Sequence, residues 1–160
     1  YFNAAGASFD GRIGEDWTHS QNLIPLAMKA VMLEGTDLKV FGDDYDTPDG
    51  TCIRDYIHVE DLAHAHVRAL DYLGRGGTTI AVNVGTGTGS SVFDVLRATE
   101  AVAGKPVPHA VVERRAGDPV STFADPNFAE QTLGWTAKFG LDAIVQTAYD
   151  WHLSQLDGSR

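Results

Sequence analysis

Apolar residues fall at helical spacing in several separated stretches, and the residues flanking each stretch supply start and stop signals. Asn22 reads as a helix N-cap, Pro25 is tolerated in the first turn, and Gly35 stands just past the end. Between them Ile24, Ala27, Met28 and Val31 make one stripe that predicts a buried face. A second helical run carries Val59, Leu62, Ala63, His66, Val67, Leu70 and Leu73 and ends in a turn from Gly74 to Gly77. Ser91 and Asp94 have the spacing of a capping box, opening a helix to Val102 that Gly104-Lys105-Pro106 closes. Asp125-Pro126, Phe128, Ala129, Leu133 and Gly134 predict a short helix with its cap, a first-turn proline and a closing glycine. Leu141, Ile144, Val145, Ala148 and Trp151 mark a last amphipathic helix, after which Asp157 to Arg160 are expected to fray.

Strand signals lie between these runs. Leu38 to Gly42, Thr79 to Val84 and Val107 to Val112 each read as a strand. The stretch opening at Gly50 is extended through Ile53 and Ile57 and passes into helix at Val59, which places Arg54 on the last strand residues before a helix. Ala4 to Gln21 is rich in Gly, Ser and Asp, lacks periodicity and reads as a long loop, of a length that is usually functional in a compact domain. The sequence contains no internal repeat and no low-complexity segment.

Composition narrows the class. A chain of 160 residues with 43% hydrophobic content is long enough for one domain with a real core. A formal charge of −10 without a run of lysines or arginines argues against nucleic acid and anionic membrane as partners. It does not exclude an anionic ligand, because two or three arginines can dominate a small cleft. The one cysteine, Cys52, cannot form an internal disulfide and suits a reducing compartment. No apolar stretch approaches the ~20 residues that span a bilayer, and no signal peptide is recognisable, so the expected location is cytoplasmic.

Several side chains could carry chemistry. Arg54 offers a planar fork of donors matched to phosphate oxygens, or it is a surface arginine paired with Asp55 or Glu60; spacing alone leaves both open. Arg114, Arg115 and Asp118 sit together on a glycine-bearing loop, where a guanidinium and a carboxylate suit a nucleoside diphosphate or else form a salt bridge with one another, worth roughly 0–1 kcal/mol. Gly85-Thr86-Gly87-Thr88-Gly89 resembles a nucleotide cradle only superficially. Ser90 occupies the third glycine place, and a structural turn is the expected role. Asp43, Asp44, Asp46 and Asp49 lack the calcium-loop pattern and read as a solvated acidic turn. His64 and His66 point to different helix faces, so no metal site is expected, and His66 is expected as a hydrogen-bonded core residue.

The run Arg54-Asp55-Tyr56-Ile57-His58-Val59 followed by Asp61-Leu62-Ala63 resembles the signature of UDP-glucose 4-epimerases, extended short-chain dehydrogenases acting on nucleotide sugars. Tyr1-Phe2-Asn3 with Gly6, Gly14-Glu15-Asp16 and Asn22-Leu23-Ile24-Pro25 resemble that family upstream. Asn83-Val84-Gly85-Thr86-Gly87, Arg114-Arg115-Ala116-Gly117-Asp118 and Leu133-Gly134-Trp135 resemble it downstream, all in the family's order.

The resemblance implies an α/β fold, namely the C-terminal part of an extended short-chain dehydrogenase: the last elements of a Rossmann-like sheet plus the smaller nucleotide-sugar-binding domain, across residues 1–160. It implies cofactor contacts from Tyr1 and Phe2 at a strand end, with NAD held mainly by an N-terminal half absent from this chain. For the UDP-sugar it implies Asn3, the Asn22-Leu23 backbone, Lys39, Val40 and Phe41 at uracil, Arg54 and Arg115 on pyrophosphate, Tyr56, Asp118 on ribose, and Thr122 beside the sugar's 2-substituent. None of the five tyrosines has a lysine four residues later, so the Tyr-x-x-x-Lys pair that ionises the superfamily's tyrosine is not here. The implied reaction is C4 epimerisation of UDP-hexoses, with UDP-N-acetylhexosamines admitted by the small Thr122. The chain alone is expected to be inactive, and the intact protein to be a homodimer. The alternatives are a pentose 4-epimerase, a 4,6-dehydratase, or a non-catalytic UDP-sugar-binding module.

Overall fold

In the computed structural model, which describes residues 1–157, one strand organises the pairing. This is β3 (Ile53–His58). Its second half pairs in parallel with β1 (Asn3–Ala5), Tyr56 opposite Asn3 and His58 opposite Ala5. Its first half is held between antiparallel β4 (Gly89–Ser91) and parallel β6 (Ser121–Thr122), so Arg54 lies opposite both Ser90 and Thr122. A separate two-stranded parallel sheet joins β2 (Leu38–Phe41) to β5 (His109–Val112). Arg54 is therefore the second residue of β3, at the end where the strand begins. The sequence expectation that it ends the strand fails because the extended backbone runs four residues further, and His58 caps the helix that follows.

The helices are α1 (Leu23–Met32), α2 (Val59–Gly74), α3 (Val92–Ala103), α4 (Asn127–Leu133) and α5 (Leu141–Asp157). Their punctuation follows local chemistry. Ser91 accepts from the Asp94 amide while Asp94 accepts from the Ser91 amide, a complete capping box, and Gly104 and Gly134 take left-handed conformations that close α3 and α4. Residues 158–160 lie outside the described residues, so of the stretch expected to fray only Asp157, the end of α5, is described.

α1, α3 and α5 share a core in which Ile24 and Met28 meet Val95, Ile144, Val145 and Ala148. A second cluster joins Ala27, Ala30 and Val31 of α1 to Leu38 and Val40 of β2. A third joins Ile57 and Ala65 to Ala129, Leu133 and Trp135. The α1 stripe read from the sequence is wholly buried.

The α2 stripe is not. Val67, Leu70 and Leu73 are 54%, 68% and 53% exposed, and the buried residues of α2 are Asp61 and Ala65. His66 is also exposed and bonds the Leu62 carbonyl of its own helix, so it is not the core histidine the pattern predicted. Residues 79–84 do not form a strand. One backbone bond, from the Phe2 amide to the Val84 carbonyl, ties this segment to the chain's start, and alternation without a ladder partner on either flank does not make a strand.

Two buried carboxylates hold the connections in place. Asp55, fully buried, accepts from the Thr86, Gly87 and Ala124 amides and from the Thr86 hydroxyl. Asp61 accepts from the Lys138 and Phe139 amides through one oxygen, and its carbonyl takes the Trp135 indole.

Candidate functional site

A cleft of about 380 Å³ opens where four segments converge: the start of α1, strand β2, the front of β3, and the loop after β5. That volume lies within the range of small-molecule sites. Local backbone chemistry explains each wall. Asn22 precedes α1 in an extended conformation and its side chain makes no capping bond. Pro25 has no N–H and the Leu26 amide bonds the Asn22 carbonyl, so the uncapped amides are those of Leu23, which lines the cleft, and Ile24. Alternation along β2 buries Leu38 and Val40 and leaves Lys39 exposed. Gly50 has a positive φ of 80°, and a Cβ there would run into the Asp43 carbonyl, so only glycine permits the turn that delivers β3.

Arg54 is 17% exposed at its side chain. One terminal nitrogen donates to the Ile53 carbonyl at 2.7 Å and the other meets Asp118 Oδ1 at 2.5 Å. Its partner is thus neither Asp55, which is committed to the turn at Thr86, nor Glu60. Arg115 lies with its guanidinium carbon 3.8 Å from the centre of the Phe41 ring. The adjacent Arg114 goes elsewhere: it donates to the Asp44 carboxylate at 2.5 Å and also to the Asp44 carbonyl, and it lies 4.1 Å over the Tyr45 ring. The two arginines of one loop therefore separate, one into the cleft and one clamping the acidic turn. That turn is less solvated than expected, since Asp49 accepts from Thr51, Ser91 and Arg97.

Of the residues named from sequence, Asn3, Asn22, Leu23, Lys39, Val40, Phe41, Arg54, Tyr56, Arg115 and Asp118 all line this cleft. Thr122 does not line it but pairs with Arg54 on the neighbouring strand, and its side chain is exposed. Tyr1 (77% exposed) and Phe2 lie outside the cleft. Sequence reading missed Gln21, Leu26, Thr36, Asp37, Leu38, Cys52 and Val92 among the lining residues. Period-two alternation back from Tyr56 and Arg54 would have reached Cys52, and one helical turn on from Leu23 would have reached Leu26. Val92 carries no local signal, because the α3 start is brought there by pairing of β4 with β3.

Burial pushes the Tyr56 phenol well above its usual range, so it keeps its proton at neutral pH and can donate but not act as a base. Burial likewise raises the Cys52 thiol, the Arg54 charge offsetting only part of that. The glycine run at 85–89 has no free amides to offer a phosphate at Thr86 and Gly87, since the Asp55 carboxylate already takes both. Among the described residues no group of three or more His, Cys, Asp or Glu could hold a metal ion, and no helix is long and apolar enough to cross a membrane.

A model of the NAD dependent epimerase/dehydratase family matches residues 1–85, more than half of the chain. The chain belongs to that family. Among curated relatives, a UDP-glucose 4-epimerase of Rhizobium meliloti is 51% identical over 158 residues, covering 99% of this chain and 48% of its own length. The solved UDP-glucose 4-epimerase of Stenotrophomonas maltophila, with NAD and formylated UDP-arabinopyranose, superimposes with a TM-score of 0.94 at 40% identity, over 99% of this chain and 47% of that one. The Bifidobacterium longum enzyme, solved with NAD+ and UDP, gives 0.87 at 41% identity, again over 99% and 47%. This epimerase/dehydratase chain thus has the α/β architecture of UDP-glucose 4-epimerases and spans about half the length of the curated relatives it matches.

Proposed function

We propose that this chain is the nucleotide-sugar-holding part of an NAD-dependent enzyme that epimerises UDP-hexoses at C4, with the 380 Å³ cleft taking the UDP. The observation that carries the reading is the convergence of Arg54, Arg115 and Asp118 with the uncapped start of α1 in one cleft. Arg54, Arg115 and the first-turn amides of α1 hold the diphosphate, Asp118 accepts from the ribose hydroxyls, and β2 from Lys39 to Phe41 meets the base through its backbone. Asn3 and Tyr56 face the same space from the end of the cleft nearer the sugar. Each charge-assisted bond of this kind contributes about 1.5–3 kcal/mol.

An epimerase must grip the nucleotide firmly while the sugar ring turns over between its two faces. A cleft that brings Arg54, Arg115 and Asp118 into one lining suits that division. The relatives that carry the 4-epimerase name support this reading over a dehydratase, a pentose enzyme or a simple binding module. The glycine-rich turn at 85–89 is no cradle for NAD, because the Asp55 carboxylate takes its Thr86 and Gly87 amides, and the contacts proposed for NAD on this chain are Tyr1 and Phe2, outside the UDP cleft. This chain's part is therefore mainly to hold the nucleotide sugar, and Tyr56, held protonated, positions rather than abstracts.

Titration of the purified chain with UDP and with NAD separately tests this. UDP should bind and NAD should not, and Arg54→Ala should weaken UDP about tenfold or more. UDP affinity unchanged by both Arg54→Ala and Arg115→Ala would overturn the assignment. Thr122, small and beside Arg54, is proposed to admit UDP-N-acetylhexosamines. Turnover of UDP-galactose but not of UDP-N-acetylgalactosamine by the natural full-length protein would count against that role.

A further inference from the structure

The two arginines that line the cleft are each paired with a side chain that a nucleoside would also use, Arg54 with Asp118 and Arg115 with Phe41. Each terminal nitrogen of Arg54 already makes one bond, one to the Ile53 carbonyl and one to the Asp118 carboxylate. Arg115 lies flat against Phe41, at a distance where the guanidinium and the ring attract one another. A diphosphate approaching the fork of Arg54 meets the negative charge of Asp118 directly behind it. A ribose approaching Asp118 finds one of its two acceptor oxygens already in an ion pair, 25% exposed on the carboxylate side. A base approaching Phe41 finds that ring already paired with Arg115.

We propose that the phosphate and nucleoside portions of the ligand bind by partner exchange, so that each portion frees the groups the other requires. This rests on the reading of the cleft as a UDP site and goes beyond it by assigning the site a built-in coupling. Drawing Arg54 onto a phosphate releases Asp118 to accept from ribose hydroxyls, and drawing Arg115 off Phe41 releases the ring to the base. Either portion alone breaks an existing pair and leaves one member without a partner. The two together replace the ion pair and the ring contact that they break. Discrimination follows: free phosphates and free nucleosides, both abundant in cells, are refused by the same device that accepts the joined molecule. The coupling is reciprocal by thermodynamic necessity, so uridine strengthens pyrophosphate by the factor that pyrophosphate strengthens uridine.

The test uses the natural full-length protein that carries this chain, titrated calorimetrically with uridine, with inorganic pyrophosphate, and with each in the presence of saturating amounts of the other. Exchange predicts that each raises the affinity of the other by about fivefold or more, by equal factors in the two directions. Asp118→Asn keeps the shape and removes the charge that holds Arg54, and Phe41→Leu removes the ring that holds Arg115. In Asp118→Asn pyrophosphate alone should bind more tightly than in the wild type, and each variant should lower the coupling factor by the share of the one exchange it removes. Independent binding of uridine and pyrophosphate in the wild type, with UDP still bound, overturns the exchange while leaving the UDP site standing. A coupling that survives undiminished in both variants overturns it as well, because some other element would then carry it. Failure of UDP itself to bind sinks the underlying site and the exchange together.

Discussion

The two sides of β3 differ in how well they are finished. On one side α1 buries its stripe completely and α3 and α5 bury the centres of theirs, with Met28, Val95, Ile144 and Val145 at 0% exposure. On the other, α2 leaves Val67, Leu70 and Leu73 more than half open, and residues 79–84 run beside it without a ladder. Both sides show equally clear helical spacing in sequence. The difference teaches that periodicity reports which face of a helix is apolar and nothing about what lies against it. The cleft belongs to the finished side, where its walls are fixed by packed elements. The open side contributes to it only through β3.

The largest effect should come from the residue that joins the two sides. Asp55 sits in β3 at 0% exposure and binds three amides and a hydroxyl, fixing residues 86–87 and Ala124 to the strand. Asp55→Ala leaves three buried or half-buried N–H groups without an acceptor and should cost about 3–5 kcal/mol in urea unfolding, enough to unfold many domains of this size. A loss under 1 kcal/mol would mean that the two sides are not joined through this carboxylate.

Truncation on the finished side comes next. Ile144→Ala opens a cavity at the centre of the α1, α3 and α5 core and should cost about 2–5 kcal/mol, read from the same unfolding curves. Acid should then act selectively on this side. His58 donates through Nε2 to Thr147 Oγ1 and accepts the Glu60 amide at Nδ1, and His152 stacks on Trp17 at 4.1 Å. Burial lowers both, His152 to about 4. A histidine depressed in the folded state binds fewer protons than its unfolded counterpart, whose pKa is about 6.5. Their contribution to stability is therefore full above about pH 6.5 and is lost as pH falls from there towards about 4. Thermal midpoints should drop across that window, and His152→Gln should flatten the drop; a midpoint constant down to pH 5 would contradict the assignment.

What could be read from sequence divides along the same line. The capping box of Ser91 and Asp94, the closing glycines at 104 and 134 and the α1 stripe are local chemistry, and each appears in the structure where the residues place it. The lining residues from Asn3 to Asp118 were named through the resemblance to UDP-glucose 4-epimerases; residue types alone left Arg54 open between phosphate and Asp55. What sequence could not show depends on contacts across long separations. Arg54 meets Asp118 from 64 positions away, Asp55 spends its carboxylate on a turn 31 positions on, and residues 79–84 lack the ladder partner that would make their alternation a strand. His66 followed the same error as the α2 stripe, being placed in a core by a pattern that has no core against it.

The smallest effect is the sharpest test of the contrast. Leu70 belongs to a stripe that sequence would rank equal to the one holding Ile144, yet it is 68% exposed. Leu70→Ala removes a side chain that has surrendered little water contact on folding, and alanine has the best helix propensity, so the change in this chain's stability should stay within about 0.5 kcal/mol. The ratio of the two losses, Ile144→Ala over Leu70→Ala, then measures the asymmetry directly. Amide exchange supplies the independent check: amides of α2 around Leu70 should exchange faster than those of α5 around Ile144, because opening α2 exposes little additional apolar surface whereas opening α5 breaks the central core. If Leu70→Ala cost as much as Ile144→Ala, and the two helices exchanged at one rate, α2 would have to be packed in solution against something that holds it as firmly as α1 and α3 hold α5.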